Sequence, residues 1–253
     1  MRKPSRAPRL PLPMLPALAA GLVLSGAPAR AEAPAARPAV DAVFDALMHV
    51  VDPHEAAVSP DGAHVAWVER IRAADGSDTH SVIHVSGLDG APARTVTAAH
   101  DHRAHRERDV AWSPDGRQIA FLSDGAQDGQ PQLYVVPAGG GLPRALTHVQ
   151  GQLQHPLWSP DGARLSVLFV AGSGQEQGAL VAYKPDAGLV EDKIDEQRIA
   201  IVDAAGGELR AVSPADVYVY DYDWAPDGRR LAAEAVRGSG TNNYWIAELD
   251  VID

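Results

Sequence analysis

Hydrophobic and polar positions alternate along most of the chain, and the alternation comes in copies. Val65 and Trp67, Ile119 and Phe121, Leu165 and Val167, and Leu231 and Ala233 hold matching places after four related turn sequences. These are Ser59-Pro60-Asp61-Gly62, Ser113-Pro114-Asp115-Gly116, Ser159-Pro160-Asp161-Gly162 and Ala225-Pro226-Asp227-Gly228. A period of two is that of a strand with one face in a core. Directly before the turns stand Val58, Trp112, Trp158 and Trp224. In each turn Pro pre-sets φ, Asp suits the next position and Gly accepts a positive φ, the chemistry of a hairpin connection. A third apolar run follows at Val82–Val85, Leu133–Val136, Ile199–Val202 and Trp245–Leu249. Glycine turns at Gly90, Gly139–Gly141 and Gly206–Gly207 then lead into a fourth strand. That strand carries Arg94, Arg144 or Arg210, with Thr97, Thr147 or Ser213 three positions on.

The pattern predicts an all-β chain made of one four-stranded antiparallel unit, copied. The turn aspartates at 61, 115, 161 and 227 are spaced like propeller blades of ~40–45 residues with insertions. The added length maps to Ala171–Glu196, and to Arg72–His80 and Ala98–Arg108. One such sheet cannot cover both of its faces, whereas stacking copies around an axis does. The expected fold is therefore an incomplete β-propeller, with blades at 58–97, 110–147 and 156–213 and a partial one at 217–253. The fourth unit stops after its third strand, while rings hold ~4–8 blades, so a longer protein is expected. Residues 32–57 read as a linker and one short helix, with Val40, Val43, Phe44, Leu47 and Val51 on one face. Asp52-Pro53 would end that helix.

Residues 1–31 have the three parts of a secretory signal peptide: Arg2, Lys3, Arg6 and Arg9, an uncharged Leu10–Leu24 run, and Ala29-Arg30-Ala31. The run is shorter than the ~20 residues of a spanning helix, so no stable membrane anchor is expected and the product is periplasmic or secreted. The sequence has no cysteine, which excludes disulfides, thiolate metal sites and cysteine nucleophiles. Its formal charge of −11 argues against nucleic acid as a partner.

Chemistry-bearing clusters are few. His100-Asp101-His102 with His105 has metal-ligand types, but Arg103, Arg106 and Arg108 would repel a cation, and it reads as a loop. His54-Glu55 begins like a zinc-protease helix without the second histidine. Glu191, Asp192, Asp195 and Glu196 form a solvated acidic run. Asp221 and Asp223 fall on one face of a strand, about 7 Å apart, and read as exposed edge acids. Gly139–Gly141 is a turn, since a phosphate loop would need a following helix. The Arg94, Arg144 and Arg210 column is expected to pair with acids of neighbouring blades. No catalytic residue, cofactor site or metal site is assigned.

The repeat Trp-Ser-Pro-Asp-Gly, Leu133-Tyr134-Val135-Val136, Gly-Gly and Pro143-Arg144-Ala145-Leu146-Thr147 resembles the propeller repeat shared by TolB and the prolyl oligopeptidase family of serine peptidases. Asp52-Pro53 running into Ser59-Pro60-Asp61-Gly62 is similar to the N-terminal propeller of the dipeptidyl and acylaminoacyl peptidases of that family. So is Val217–Trp224 followed by Gly238–Trp245. The resemblance spans about residues 40–253. It implies a substrate-gating propeller, with peptides as partners and a Ser-Asp-His triad on an α/β-hydrolase domain. No Gly-x-Ser-x-Gly occurs in this chain, so no triad residue is carried over. The alternative implied is a TolB-like, non-enzymatic propeller that binds periplasmic proteins.

Overall fold

The computed structural model describes residues 52–72, 79–99, 105–172, 196–238 and 243–253. The expected signal peptide, the helix up to Val51, the acidic run through Asp195 and the His100–His102 cluster lie outside the described residues.

Four antiparallel sheets follow in chain order, each with its strands in sequence order. The first holds β1 (Asp52–Val58), β2 (His64–Arg72), β3 (Thr79–Gly87) and β4 (Arg94–Val96). The second holds β5 (Glu107–Trp112), β6 (Gln118–Ser123), β7 (Gln132–Pro137) and β8 (Arg144–Ala145). The third holds β9 (Gly151–Trp158), β10 (Arg164–Ala171), β11 (Arg198–Asp203) and β12 (Arg210–Ala211). The fourth holds β13 (Val217–Trp224), β14 (Leu231–Arg237) and β15 (Glu248–Ile252). The fold is the expected incomplete all-β propeller. The first strands begin at Asp52, Glu107 and Gly151, ahead of the expected blade starts at 58, 110 and 156.

Three buried clusters join the four sheets pairwise. Ile119 and Phe121 of β6 pack with Ala66, Val68, Ile83 and Val85 of blade one. Their neighbours Ala120 and Leu122 pack the other way, with Leu153, Trp158, Leu165 and Val167 of blade three. Ile199 and Ile201 of β11 face Val217, Val219, Tyr222 and Trp224 of blade four. Strict alternation thus sends one strand's side chains into two different cores, and burial of this apolar area holds the stack together. Among the described residues no such cluster joins blade four back to blade one.

The four turns form as their residues dictate. Gly62, Gly116, Gly162 and Gly228 all adopt φ between 66 and 69°, a left-handed conformation that glycine accepts without strain. The Ser59, Ser113 and Ser159 hydroxyls donate to Asp61, Asp115 and Asp161 at 2.5–2.6 Å. Those bonds, followed by a backbone N–H two residues on, hold the three carboxyls below the usual range. The turns also meet one another. A methyl group added at Gly116, Gly162 or Gly228 would stand 3.6–3.8 Å from the ring of Pro60, Pro114 or Pro160 in the preceding blade.

The tryptophan column sits at the blade junctions. Trp112 Nε1 donates to the Ala57 carbonyl at 3.0 Å, and Trp158 Nε1 to the Ala111 carbonyl at 3.2 Å. Trp224 Nε1 donates to the Ser166 hydroxyl at 2.8 Å. Val58, the residue in that place in blade one, is exposed.

Two expectations are corrected. The run Trp245–Leu249 is a strand only from Glu248 on: Tyr244–Ile246 form a 3₁₀ turn and β15 spans Glu248–Ile252. The Ile246 and Ala247 amides bond back to the Asn243 and Tyr244 carbonyls, so these groups are spent locally before the ladder begins. Two members of the arginine column, Arg94 and Arg144, bind carbonyls of the next blade rather than its acids. Arg94 donates to the Ala138 carbonyl, and Arg144 to those of Ala204 and Ala205 at 2.7 and 3.2 Å. These carbonyls lie in the next blade's turn after its third strand, where no ladder partner uses them, and a guanidinium fork reaches both at once.

Candidate functional site

The first strand of each blade is broken at one repeated place. The pairing of β1 with β2 shifts between His54 and Ala56, and that of β5 with β6 between Arg108 and Ala111. The β9 pairing shifts opposite Ser166 and Leu168, and that of β13 between Val219 and Asp221. The shifts leave Glu55, Asp109 and His155 unpaired in the first three blades and Tyr220 unpaired, next to Asp221, in the fourth. Glu55, Asp109, His155 and Asp221 each stand three positions before the Val58, Trp112, Trp158 or Trp224 column. Glu55, Asp109 and His155 have φ of 52, 57 and 51°. Bulges and left-handed non-glycine residues carry strain that is found near functional surfaces.

All four residues of this column are titratable, and they meet in two pairs, Glu55 with Asp109 and His155 with Asp221. The Asp109 backbone N–H donates to Glu55 Oε2 at 2.6 Å. Arg108 holds Asp109 Oδ2 at 3.1 Å and donates its other nitrogen to the Leu153 carbonyl of blade three. His155 Nδ1 lies 3.1 Å from Asp221 Oδ1, while the buried Tyr222 hydroxyl donates to the His155 carbonyl at 2.7 Å. Burial, then the Asp109 charge, pushes the Glu55 carboxyl up. Burial likewise pushes the Tyr222 hydroxyl up, so it stays a neutral donor.

Beside this column a cavity of about 410 Å³ opens between blades one and two. Its walls include His54, Glu55, Arg70, Arg106, Glu107 and Asp109. Both signs of charge line it, which suits a chain of amides with charged ends better than a simple ion. Glu107 is 1% exposed. Burial pushes its carboxyl up to about 7, against hydrogen bonds from Thr97 and Ala98 that favour the charged form.

Of the sequence candidates, Asp221 and Asp223 are both exposed and paired to Glu234 and Ala232 across the ladder. His105 is buried against Asp124, with Nδ1 to Oδ1 at 3.6 Å. His54 and Glu55 lie on a strand, not a helix. Among the described residues no group of three or more His, Asp or Glu side chains is arranged to hold a metal, and no helix is long and apolar enough to cross a membrane. Sequence reasoning missed this column, although counting three back from Val58, Trp112, Trp158 and Trp224 would have aligned Glu55, Asp109, His155 and Asp221. It also missed Glu107, whose place is taken by Pro53, Leu153 and Val219 in the other blades.

Comparison with known proteins matches residues 84–232 to a family described as the lipoprotein LpqB beta-propeller domain. The uncharacterized peptidase YuxL of Bacillus subtilis is 30% identical over 208 residues, covering 75% of this chain and 30% of that protein. Dipeptidyl-peptidase 5 of Porphyromonas gingivalis is 30% identical over 146 residues, covering 54% of this chain and 19% of that protein. The chain therefore spans less than a third of each of these curated relatives. Among solved structures, acylaminoacyl peptidase from Pyrococcus horikoshii superimposes with a TM-score of 0.56 at 13% identity, over 82% of this chain and 32% of that one. That likeness is one of fold.

Proposed function

Because the chain belongs to the family of the lipoprotein LpqB β-propeller domain, we propose that it is the substrate-gating propeller portion of an exported serine peptidase. The observation that carries this reading is the 30% identity to a peptidase along three quarters of the chain. The propeller resemblance read from the repeats points the same way. The charged column at Glu55, Asp109, His155 and Asp221, with the cavity beside it, offers peptide backbone and termini hydrogen-bonding partners of both signs. The chemistry falls to an α/β-hydrolase segment elsewhere in the protein, since these residues contain no Gly-x-Ser-x-Gly elbow. The basic start, the uncharged run and Ala29-Arg30-Ala31 support export to the periplasm or beyond.

The family's own description, a lipoprotein's propeller, favours a second reading: a non-enzymatic propeller that docks periplasmic proteins. The two readings part on the reading frame beyond codon 253. An in-frame segment with Gly-x-Ser-x-Gly is expected, and the protein it encodes should take a serine-directed fluorophosphonate label there and not within residues 1–253. A frame that closes after further blades alone, or stoichiometric labelling within this chain, overturns the gating proposal.

A further inference from the structure

We propose that Glu107 is a pH-operated latch between blades one and two, tight while its carboxyl is protonated and loosened by ionisation. The geometry is that of a clasp. Glu107 opens the first strand of blade two, yet its carboxyl reaches back to the end of blade one. There the Thr97 hydroxyl and the Ala98 N–H donate to Oε1 at 2.7 and 3.0 Å. Its main chain is gripped by blade one as well: Ser81 Oγ donates to the Glu107 carbonyl at 2.6 Å and accepts from its N–H at 2.9 Å.

The other junctions use neutral groups for the same work. Gln130 clasps the Gly151 backbone in both directions at 2.6 and 3.1 Å. Gln197 donates to the Val219 carbonyl at 2.8 Å. In blade two the Thr147 hydroxyl, the counterpart of Thr97, bonds the Gln132 amide oxygen, which also accepts the Val149 N–H. Val82 stands in place of Gln132 in blade one, and Glu107 supplies the missing acceptor from the neighbouring blade. Among the described junctions, only this one is clasped by a carboxyl group.

Burial is what chiefly disfavours its charge, against the donors at Oε1. Asp124, from the connection after β6, adds a like charge, with His105 beside it; Tyr134 of β7 is the other ionisable group at the carboxyl. Arg108 is committed to Asp109 and to the Leu153 carbonyl. Across the cavity stand Glu55 of β1, Arg70 of β2 and His80 of β3. Opening the junction returns Glu107 to water and to ordinary acidity. The sign follows from a carboxyl whose value is raised in the closed state. Closure is firmest below the ordinary carboxylate range, weakens as pH rises from there to about 7, and is level above it. Over that window the open population gains up to about tenfold per pH unit.

The test is amide hydrogen exchange on the whole chain between pH 5 and 8, corrected for the intrinsic rate. Protection of the Ala98 amide should fall several-fold per pH unit up to about 7 and then level. The Val149 amide, bonded to neutral Gln132, is the internal reference and should stay flat. In Glu107→Gln the slope at Ala98 should vanish. Equal slopes at Ala98 in the two proteins, or a slope at Val149 matching that at Ala98, would overturn the latch. Should the variant fold poorly, carbon-detected titration of the Glu107 carboxyl in the unaltered chain decides: a midpoint in the ordinary carboxylate range sinks the proposal.

Discussion

Blade two and blade four are copies of one unit, and among the described residues blade two packs against a neighbour on each face while blade four packs against one. In β6, Ile119, Ala120, Phe121 and Leu122 are all fully buried, two toward each neighbour. In β14, Leu231, Ala233 and Ala235 are buried against blade three, while Glu234 between them is exposed. On β15 the contrast is sharper, with Leu249 and Val251 79% and 64% exposed. A strand with neighbours on both sides reads as a continuous apolar run, and one with a single neighbour reads as an alternation. Blade one answers its open side differently. Trp67 stacks on His84 at 5.3 Å, and His84 Nε2 lies 2.8 Å from Glu69 Oε2, so an aromatic pair with a polar contact shelters the outer face. Among the described residues, no such pair covers Leu249 and Val251 of blade four.

The contrast can be broken most directly at a tryptophan. Trp158→Ala, which empties the junction of blades two and three, should cost ~3–5 kcal/mol in urea unfolding. Leu249→Ala on the uncovered face should cost almost nothing. Equal losses would mean that the two faces are packed alike. A smaller effect is expected in association. A chain of residues 1–253 should self-associate through β15 by light scattering, and a Leu249→Lys, Val251→Lys double variant should shift it toward monomer. Unchanged mass in the double variant would place the contact elsewhere. The smallest effect concerns the one turn that lacks its serine. Ala225→Ser should give Asp227 the hydroxyl partner that Asp61, Asp115 and Asp161 have, and raise the unfolding midpoint slightly. A carboxyl held below its ordinary value stabilises above that value and loses the contribution as pH falls through the folded value. The gain should therefore fade under acid, and a gain that persists there would show that the hydroxyl acts without the carboxylate.

The blades were legible because their signals are local. Pro60, Asp61 and Gly62 determine a turn within a few residues, and alternation such as Ile119 to Leu122 follows from strand geometry alone. The junction chemistry was less so. Arg94 and Arg144 are long enough to reach several partners, and which carbonyl or acid lies there depends on the next blade's position. Trp245 has the apolar character of a strand residue, yet the local Asn243 to Ile246 hydrogen bond claims that stretch. The bulge column was hidden because a bulge adds one residue to a strand without altering its composition: Val219 and Tyr222, three apart, face the same core. Glu107 looks in sequence like any charged residue opening a strand, and its burial depends on contacts with Ser81, Thr97 and Ala98 in another blade.

The contact of each turn proline with the following blade's turn glycine has a consequence for how such a chain can be assembled. Both halves of that joint, Pro60 and Gly62 or Pro114 and Gly116, lie inside one tetrapeptide. Tandem copying of the corresponding stretch of gene would deliver a new module with its socket and its plug already matched to either neighbour, and deletion of a module would leave the flanking ends matched as well. The number of blades can then drift by duplication and loss without a compensating change at the seam.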